Sequence, residues 1–207
     1  MSESLFDLHR KNFSTQMTEK GVWIEDELFS VSTLHELLAL AKEFEGNGSF
    51  RLAQIGKDEK KQLAPDVRKD QIFWINDWSV EPLLRVQEML VALQKVARRE
   101  LFLPLKRFEA HFSCYKNGDF YKPHVDRHQK APGRVLSLVL YLNDLSESDG
   151  GELVIHHCEG EGTGLTVRPK QGRVVVFDSR VLHEVKTVHT SRFSLTCWFR
   201  DDEAIGI

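Results

Sequence analysis

Apolar and polar positions along the chain follow two different periods, and the change falls near Pro104. In "STLHELLALAKEF" (32–44), Leu34, Leu37, Leu38, Ala41 and Phe44 recur at helical spacing. Thr33 with Glu36 three residues on reads as a capping box, and "GNG" at Gly46–Gly48 ends the helix. A second helix is predicted from near Ser79, with Pro82 in its first turn, to about Leu103. It carries Leu83, Val86, Leu90, Leu93 and Ala97 on one face. A single apolar stripe on each predicts that both helices pack on something flat.

Beyond Pro104 the runs shorten and alternate. Strands are predicted over 107–115, 134–143, 152–156, 164–169, 173–177, 183–188 and 192–199, most of them separated by glycines or polar clusters. Many short strands with turn signals at this spacing point to a sandwich or jelly-roll barrel. The expected fold is therefore mainly β with supporting helices (α+β), the N-terminal helices covering one outer face. No repeat, low-complexity tract or linker separates the halves, so residues 1–207 are read as one domain.

Composition narrows the function classes. The 207 residues carry a net charge of −3, which gives no global basic field for nucleic acid or anionic lipid. The basic runs at Lys57–Lys61 and Ala97–Glu100 are mixed with acids and read as solvated faces. "MSESLFDLHRKNF" lacks the pattern of a secretory signal, and no apolar run approaches the ~20 residues of a membrane span. Cys114, Cys158 and Cys197 are odd in number and widely spaced, which argues against a disulfide framework and for a cytoplasmic location.

Candidate chemistry begins at "YKPHVDRHQK" (121–130). In an extended segment residues i and i+2 share a side, so His124 and Asp126 can aim at one point. One imidazole and one carboxylate leave a divalent ion under-coordinated. A barrel can bring a third ligand across, and His183, at the head of a predicted strand, is the candidate. Two histidines and one carboxylate with the opposite positions open is the arrangement of non-haem Fe(II) oxygenases. In "RFSLTCWF" Arg192, Ser194, Thr196 and Trp198 share one strand face, while Phe193, Leu195, Cys197 and Phe199 share the other. An inward guanidinium is costly to bury without an anion, and a dicarboxylate cosubstrate would supply one.

Other histidines are read differently. His128 leads into a polar loop and is expected to be exposed. In "HHC" (156–158) adjacent strand residues point to opposite faces, so His156 and His157 cannot easily share an ion. His9, His35 and His189 lack local partners and read as surface or capping residues. His111 shares parity with Ser113 and Tyr115 and is placed toward the pocket.

These motifs resemble the Fe(II)/2-oxoglutarate-dependent dioxygenases, and within them the prolyl 4-hydroxylase-like group, closest to the oxygen-sensing type and its bacterial relatives. "CYKNGDFYKPHVD", "YLND", "DGGELVIH", "RVVVFDSRVLHEV" and "RFSLTCWF" follow in the family's order, and "VRKDQIFWI" (67–75) is similar to the stretch after its finger loop. The resemblance implies a double-stranded β-helix (jelly roll) catalytic core over 106–200, with 1–105 as helical support carrying a finger-loop-like segment. It implies that His124, Asp126 and His183 ligate Fe(II), and that Arg192 and Tyr141 hold the distal carboxylate of 2-oxoglutarate, with Tyr115 and Thr196 nearby. Arg68, Asp70, His111 and Trp198 are the implied substrate-side residues. Trp198 is either pocket wall or core, and Arg68–Asp70 either a shaping ion pair or an exposed one.

The implied reaction is hydroxylation of an unactivated C–H bond, with a prolyl residue in a polypeptide as the favoured substrate. Dioxygen is consumed, succinate and CO2 are released, and ascorbate is the implied reductant. Neither nucleic acid nor membrane is an expected partner, and a monomer or weak oligomer is expected. Two departures alter the pocket wall: the Tyr115-to-His124 segment is one residue short of the closest type, and His111 stands where an apolar residue is expected. Rival readings are hydroxylation of another protein side chain or small molecule, and a silent jelly-roll that binds metal or protein.

Overall fold

Residues 3–53, 64–129, 131–156 and 164–203 are described by the computed structural model of the protein. The basic run at 57–61, His157 and Cys158 lie outside the described residues. Three helices support the strands: α1 (Glu3–Lys20), α2 (Val31–Gly46) and α3 (Glu81–Glu100). The α2 cap differs from the expected box. Ser30 is the extended capping residue, and its side chain accepts the Thr33 amide. Thr33 therefore sits one turn inside and is buried, while Glu36 takes the Ser32 hydroxyl. Helix α3 begins at Glu81, later than Ser79, with Pro82 in its first turn. It stops before Leu103 because Phe102 turns into the left-handed region, at φ 56°.

The strands form two antiparallel sheets. They are β1 (Val22–Glu25), β2 (Arg51–Leu52), β3 (Gln71–Trp74), β4 (Arg107–Tyr115), β5 (Tyr121–His124), β6 (Arg134–Tyr141), β7 (Leu153–Ile155), β8 (Leu165–Val167), β9 (Val174–Asp178), β10 (His183–Val185) and β11 (Arg192–Arg200). The larger sheet runs β1-β9-β6-β11-β4-β3-β2, and the smaller runs β5-β10-β7-β8. This is the mainly β, double-stranded β-helix architecture expected from the second half of the sequence. The first half departs from its largely helical reading: three of its short segments, β1, β2 and β3, join the larger sheet.

Strand alternation sorts the core into two layers. Leu136, Leu138 and Leu140 of β6, Val174 and Val176 of β9, and Leu195, Cys197 and Phe199 of β11 face outward onto α2 and α3. Leu34, Leu37 and Ala41 meet them from α2, and Leu83, Val86, Leu90, Leu93 and Ala97 from α3. Residues of opposite parity, Val139, Tyr141, Val175 and Phe177, pack between the sheets against Leu153, Ile155 and Val167. The inter-sheet apolar cluster is smaller than the outer one, and Val139, Leu153 and Phe177 from it line a cavity that they share with polar residues.

An ion-pair cluster pins one edge. Arg173 donates to both Asp26 carboxylate oxygens at 2.7 and 2.9 Å, and Lys170 adds a third bond at 2.8 Å. The Arg173 hydrogen bond holds the Asp26 carboxyl at about 2, against an ordinary 3.8. A lowered folded-state value means stabilisation that is complete above the unfolded value and lost as pH falls through the folded one. Asp26→Asn should cost about 1 kcal/mol at neutral pH, because the cluster is partly solvated. In urea titrations the gap to wild type should close as pH is lowered from about 4 to about 2.

Candidate metal centre and active site

Three side chains converge at the barrel mouth. His124 ends β5, Asp126 lies two residues on, and His183 opens β10 directly opposite His124 in the β5–β10 pairing. One potential ligand atom from each lies within 4.8 Å of the others. His124 Nε2 is 3.7 Å from Asp126 Oδ1, and His183 Nε2 is 3.4 Å from Asp126 Oδ2. Both imidazoles are held from behind: His124 Nδ1 contacts the Lys122 carbonyl at 2.8 Å, and His183 Nδ1 the Val181 carbonyl at 2.9 Å. A carbonyl only accepts, so each Nδ1 donates and each Nε2 is left to face the shared point. The Ser137 hydroxyl donates to Asp126 Oδ2 at 2.6 Å and is itself 2.9 Å from Ser179 Oγ.

The electrostatics suit a cation. Burial and the neighbouring His183 push His124 down to about 3, so it is neutral at physiological pH. Burial opposes charge on Asp126 too, yet the two histidines hold its carboxyl well below the ordinary range. Burial disfavours charge on His183, and Asp126 outweighs it, raising its value. One carboxylate with two Nε2 atoms on one side of a point is the donor set of a two-histidine, one-carboxylate metal site, with room on the open side.

Across the cavity stands Arg192, 2% exposed. Its guanidinium carbon lies 4.9 Å from the Tyr115 ring and 4.9 Å from the Tyr141 ring, and Nη1 donates to Ser194 Oγ at 3.2 Å. No carboxylate pairs with it among the described residues, and its Nε has no hydrogen-bond partner there. Burial pushes the Tyr141 hydroxyl up and the adjacent Arg192 charge opposes it, while no group among the described residues meets the hydroxyl in good hydrogen-bond geometry. Gly151, at φ 74°, clears the approach, since a Cβ there would sit 3.2 Å from Arg192 Cδ. A buried guanidinium with an unsatisfied Nε, beside a buried tyrosine hydroxyl, makes a place suited to an anion.

The cavity is lined by His124, Asp126, His183, Arg192, Thr196 and Tyr115, all expected at the site, and also by Arg68, His111 and Trp198. Tyr141 and Asp70 stand behind that lining. Trp198 is thus wall rather than only core. His111 is fully enclosed between Trp74 and Trp198, each 5.1 Å away by ring centroid, and burial lowers it to about 4, so the imidazole is neutral. His128 is exposed, as expected, and His156 pairs with Glu184 at 3.2 Å, away from the metal centre.

The Arg68–Asp70 pair is not an exposed one. Asp70 is 0% exposed, and Arg68 reaches it with two bonds of 2.7 and 2.6 Å. Asp70→Ala would strand a buried guanidinium, a change expected to destabilise the protein by about 3 kcal/mol or more in chemical denaturation. Arg134 was missed by alternation. It shares parity with the outward Leu136, yet it lines the cavity, its guanidinium carbon 3.5 Å from the Trp198 ring. A register shift between Phe199 and Arg200 in the β6–β11 pairing inserts a residue and turns Arg134 inward.

Comparison with known proteins agrees with this geometry. Residues 110–200 match the 2OG-Fe(II) oxygenase superfamily. Prolyl hydroxylase EGLN3 of Mus musculus is 31% identical over 177 residues, 81% of this chain and 73% of that protein. Egl nine homolog 1 of Mus musculus is 26% identical over 195 residues, 89% of this chain but 48% of the relative, so the chain spans about half that protein's length. Among solved structures, a Pseudomonas putida prolyl-4-hydroxylase superposes with a TM-score of 0.83 at 29% identity, covering 94% of this chain and all of that one. A prolyl hydroxylase from Trichoplax adhaerens, in complex with a hypoxia inducible factor peptide fragment, shares the fold at a TM-score of 0.83 and 20% identity, covering 97% and 94%. The chain belongs to the 2OG-Fe(II) oxygenases, in their prolyl hydroxylase-like group. No described helix is long and apolar enough to cross a membrane.

Proposed function

We propose that this chain is an Fe(II)- and 2-oxoglutarate-dependent dioxygenase that hydroxylates a prolyl residue in a polypeptide, forming succinate and CO2. The observation that carries the reading is Arg192, a buried cation without a carboxylate partner among the described residues, facing the His124–Asp126–His183 cluster across one cavity. A silent binding module has no use for such a cation, whereas a dicarboxylate bridging the metal and Arg192 pairs it.

The roles follow from position. His124, Asp126 and His183 hold the iron, and Ser137 fixes the Asp126 carboxylate. Arg192 takes the distal carboxylate of 2-oxoglutarate in a charge-assisted pair, with the Tyr141 hydroxyl completing its hydrogen bonds. Tyr115 and Thr196 flank the cosubstrate, and Val139, Leu153, Phe177 and Val185 give that part of the cavity apolar walls that exclude water. Bound Fe(II) supplies the dioxygen chemistry, with ascorbate as the reductant that keeps it ferrous. Arg68, His111, Trp198 and, behind them, Asp70 shape the entrance where the polypeptide lies. Residues 106–200 carry the catalytic core and the preceding segment supports it, in a cytoplasmic protein.

The test is to incubate the protein with Fe(II), 2-oxoglutarate, ascorbate and proline-containing peptides. The gain of one oxygen on a prolyl residue, matched by succinate, is the expected result. Peptide-stimulated succinate with oxygen placed on a different side chain would redirect the substrate assignment. His111→Met should alter peptide KM more than the KM for 2-oxoglutarate, because His111 packs against the half-exposed Trp74 while Arg192 is the cosubstrate's ionic partner.

A further inference from the structure

The two histidines of the metal centre are supported differently. Each has its Nδ1 hydrogen bond to a nearby carbonyl, which fixes the in-plane direction of the ring and leaves rocking about that bond unrestrained. His183 meets Phe177, part of the inter-sheet core, in a T-shaped contact 4.7 Å by centroid, and the two imidazoles also meet each other at 4.2 Å. For His124 the ring face is met by Tyr121, stacked at 3.4 Å with planes 12° apart. Tyr121 belongs only to the margin of a small apolar cluster. Its ring is also approached by Arg68, whose guanidinium carbon lies 4.3 Å from the centroid. Arg68 is in turn clamped by the buried Asp70.

The backbone carries the same connection. Arg68 and Tyr121 form an isolated antiparallel bridge. On either side, Lys69 donates to the Phe120 carbonyl at 3.1 Å, and Lys122 to the Val67 carbonyl at 2.9 Å. The carbonyl of Lys122 is the one that accepts from His124 Nδ1. One short ladder therefore joins the segment 64–70 both to the hydrogen bond and to the stack that orient a single ligand.

We infer that Tyr121 is a positioning residue for the metal centre, and that Asp70 and Arg68 act through it, so that metal affinity and the order of segment 64–70 are coupled. The inference rests on the metal reading proposed above. A face-to-face contact restrains the imidazole plane, and a cation on the far side of the tyrosine holds that tyrosine in turn. Supporting partners of metal-bound histidines commonly govern affinity by about 10- to 100-fold. Coupling of this kind is reciprocal: whatever orders segment 64–70 tightens metal binding, and metal binding orders the segment.

The test titrates Mn(II), a redox-silent stand-in for Fe(II), by electron paramagnetic resonance of the free ion, with folding checked by circular dichroism. Tyr121→Phe, which keeps the ring, should bind close to wild type. Tyr121→Leu should bind about ten-fold more weakly. The paired change Arg68→Met with Asp70→Asn, which removes the cation without stranding a charge, should also weaken binding. Hydrogen exchange at the Lys69 and Lys122 amides should slow when Mn(II) is added to wild type, and respond less in Tyr121→Leu. A folded Tyr121→Leu with wild-type affinity overturns the inference. Should that variant fail to fold, unchanged affinity in the paired variant overturns it instead. A wild-type protein that binds no Mn(II) would remove the metal reading itself, a different failure from loss of the coupling alone.

Discussion

Asp126→Ala is expected to abolish metal binding and turnover while leaving the metal-free fold in place. The carboxylate is the one anionic ligand of the cluster among the described residues, and its loss leaves only two imidazoles to hold a divalent ion at this site. The effect should exceed the roughly hundred-fold upper end seen when only a supporting partner of a metal ligand is lost. The metal-free fold should survive, because the change removes a buried charge rather than stranding one. Ser137 and Ser179 remain hydrogen-bonded to each other at 2.9 Å, and His183 keeps its bond to Val181. Calorimetric titration with Mn(II), together with thermal unfolding of the metal-free forms, checks both halves of this expectation. An Asp126→Ala protein that turns over would remove Asp126 from the ligand set.

Arg192 should separate function from stability even more sharply. Arg192→Ala removes the partner of the distal carboxylate and leaves that carboxylate buried without a cation. This is expected to weaken 2-oxoglutarate binding by about 3 kcal/mol, on the order of a hundred-fold in Kd. Arg192→Met keeps most of the side-chain volume and removes a buried cation that no described carboxylate neutralises. The metal-free protein should then be as stable as wild type or more so, since desolvating an unpaired charge is unfavourable. Loss of cosubstrate affinity with undiminished unfolding midpoint is the signature of a residue kept for its ligand. A large fall in the midpoint of Arg192→Met would instead make the arginine structural.

The parts of this arrangement that alternation can report were legible in the sequence. Strand β11 separates Arg192, Ser194, Thr196 and Trp198 from an entirely apolar opposite face, and the structure keeps that division. His124 and Asp126 were legible as a pair because they stand two residues apart where β5 ends, and His183 because it opens a strand. The elements that escaped lack a period to read. In β1 the consecutive Val22 and Trp23 are both buried, one between the sheets and one beneath the helices, so no polar face marks the strand. Strands β2 and β3 are too short to alternate visibly. Arg134 escaped for a different reason: the irregularity beside Arg200 reverses its parity, and nothing in the local sequence announces that shift. Burial of Asp70 was equally silent, since it depends on tertiary cover rather than on its neighbours in the chain.

The most direct test of the central claim is an anaerobic titration of the Fe(II)-loaded protein with 2-oxoglutarate, followed by visible absorption in wild type and in Arg192→Ala. A metal-to-ligand charge-transfer band in the wild type, requiring about a hundred-fold more 2-oxoglutarate to appear in the variant, is the predicted result. Absence of any band from folded, iron-loaded wild-type protein would contradict the account, because the metal and the arginine would then not share a cosubstrate.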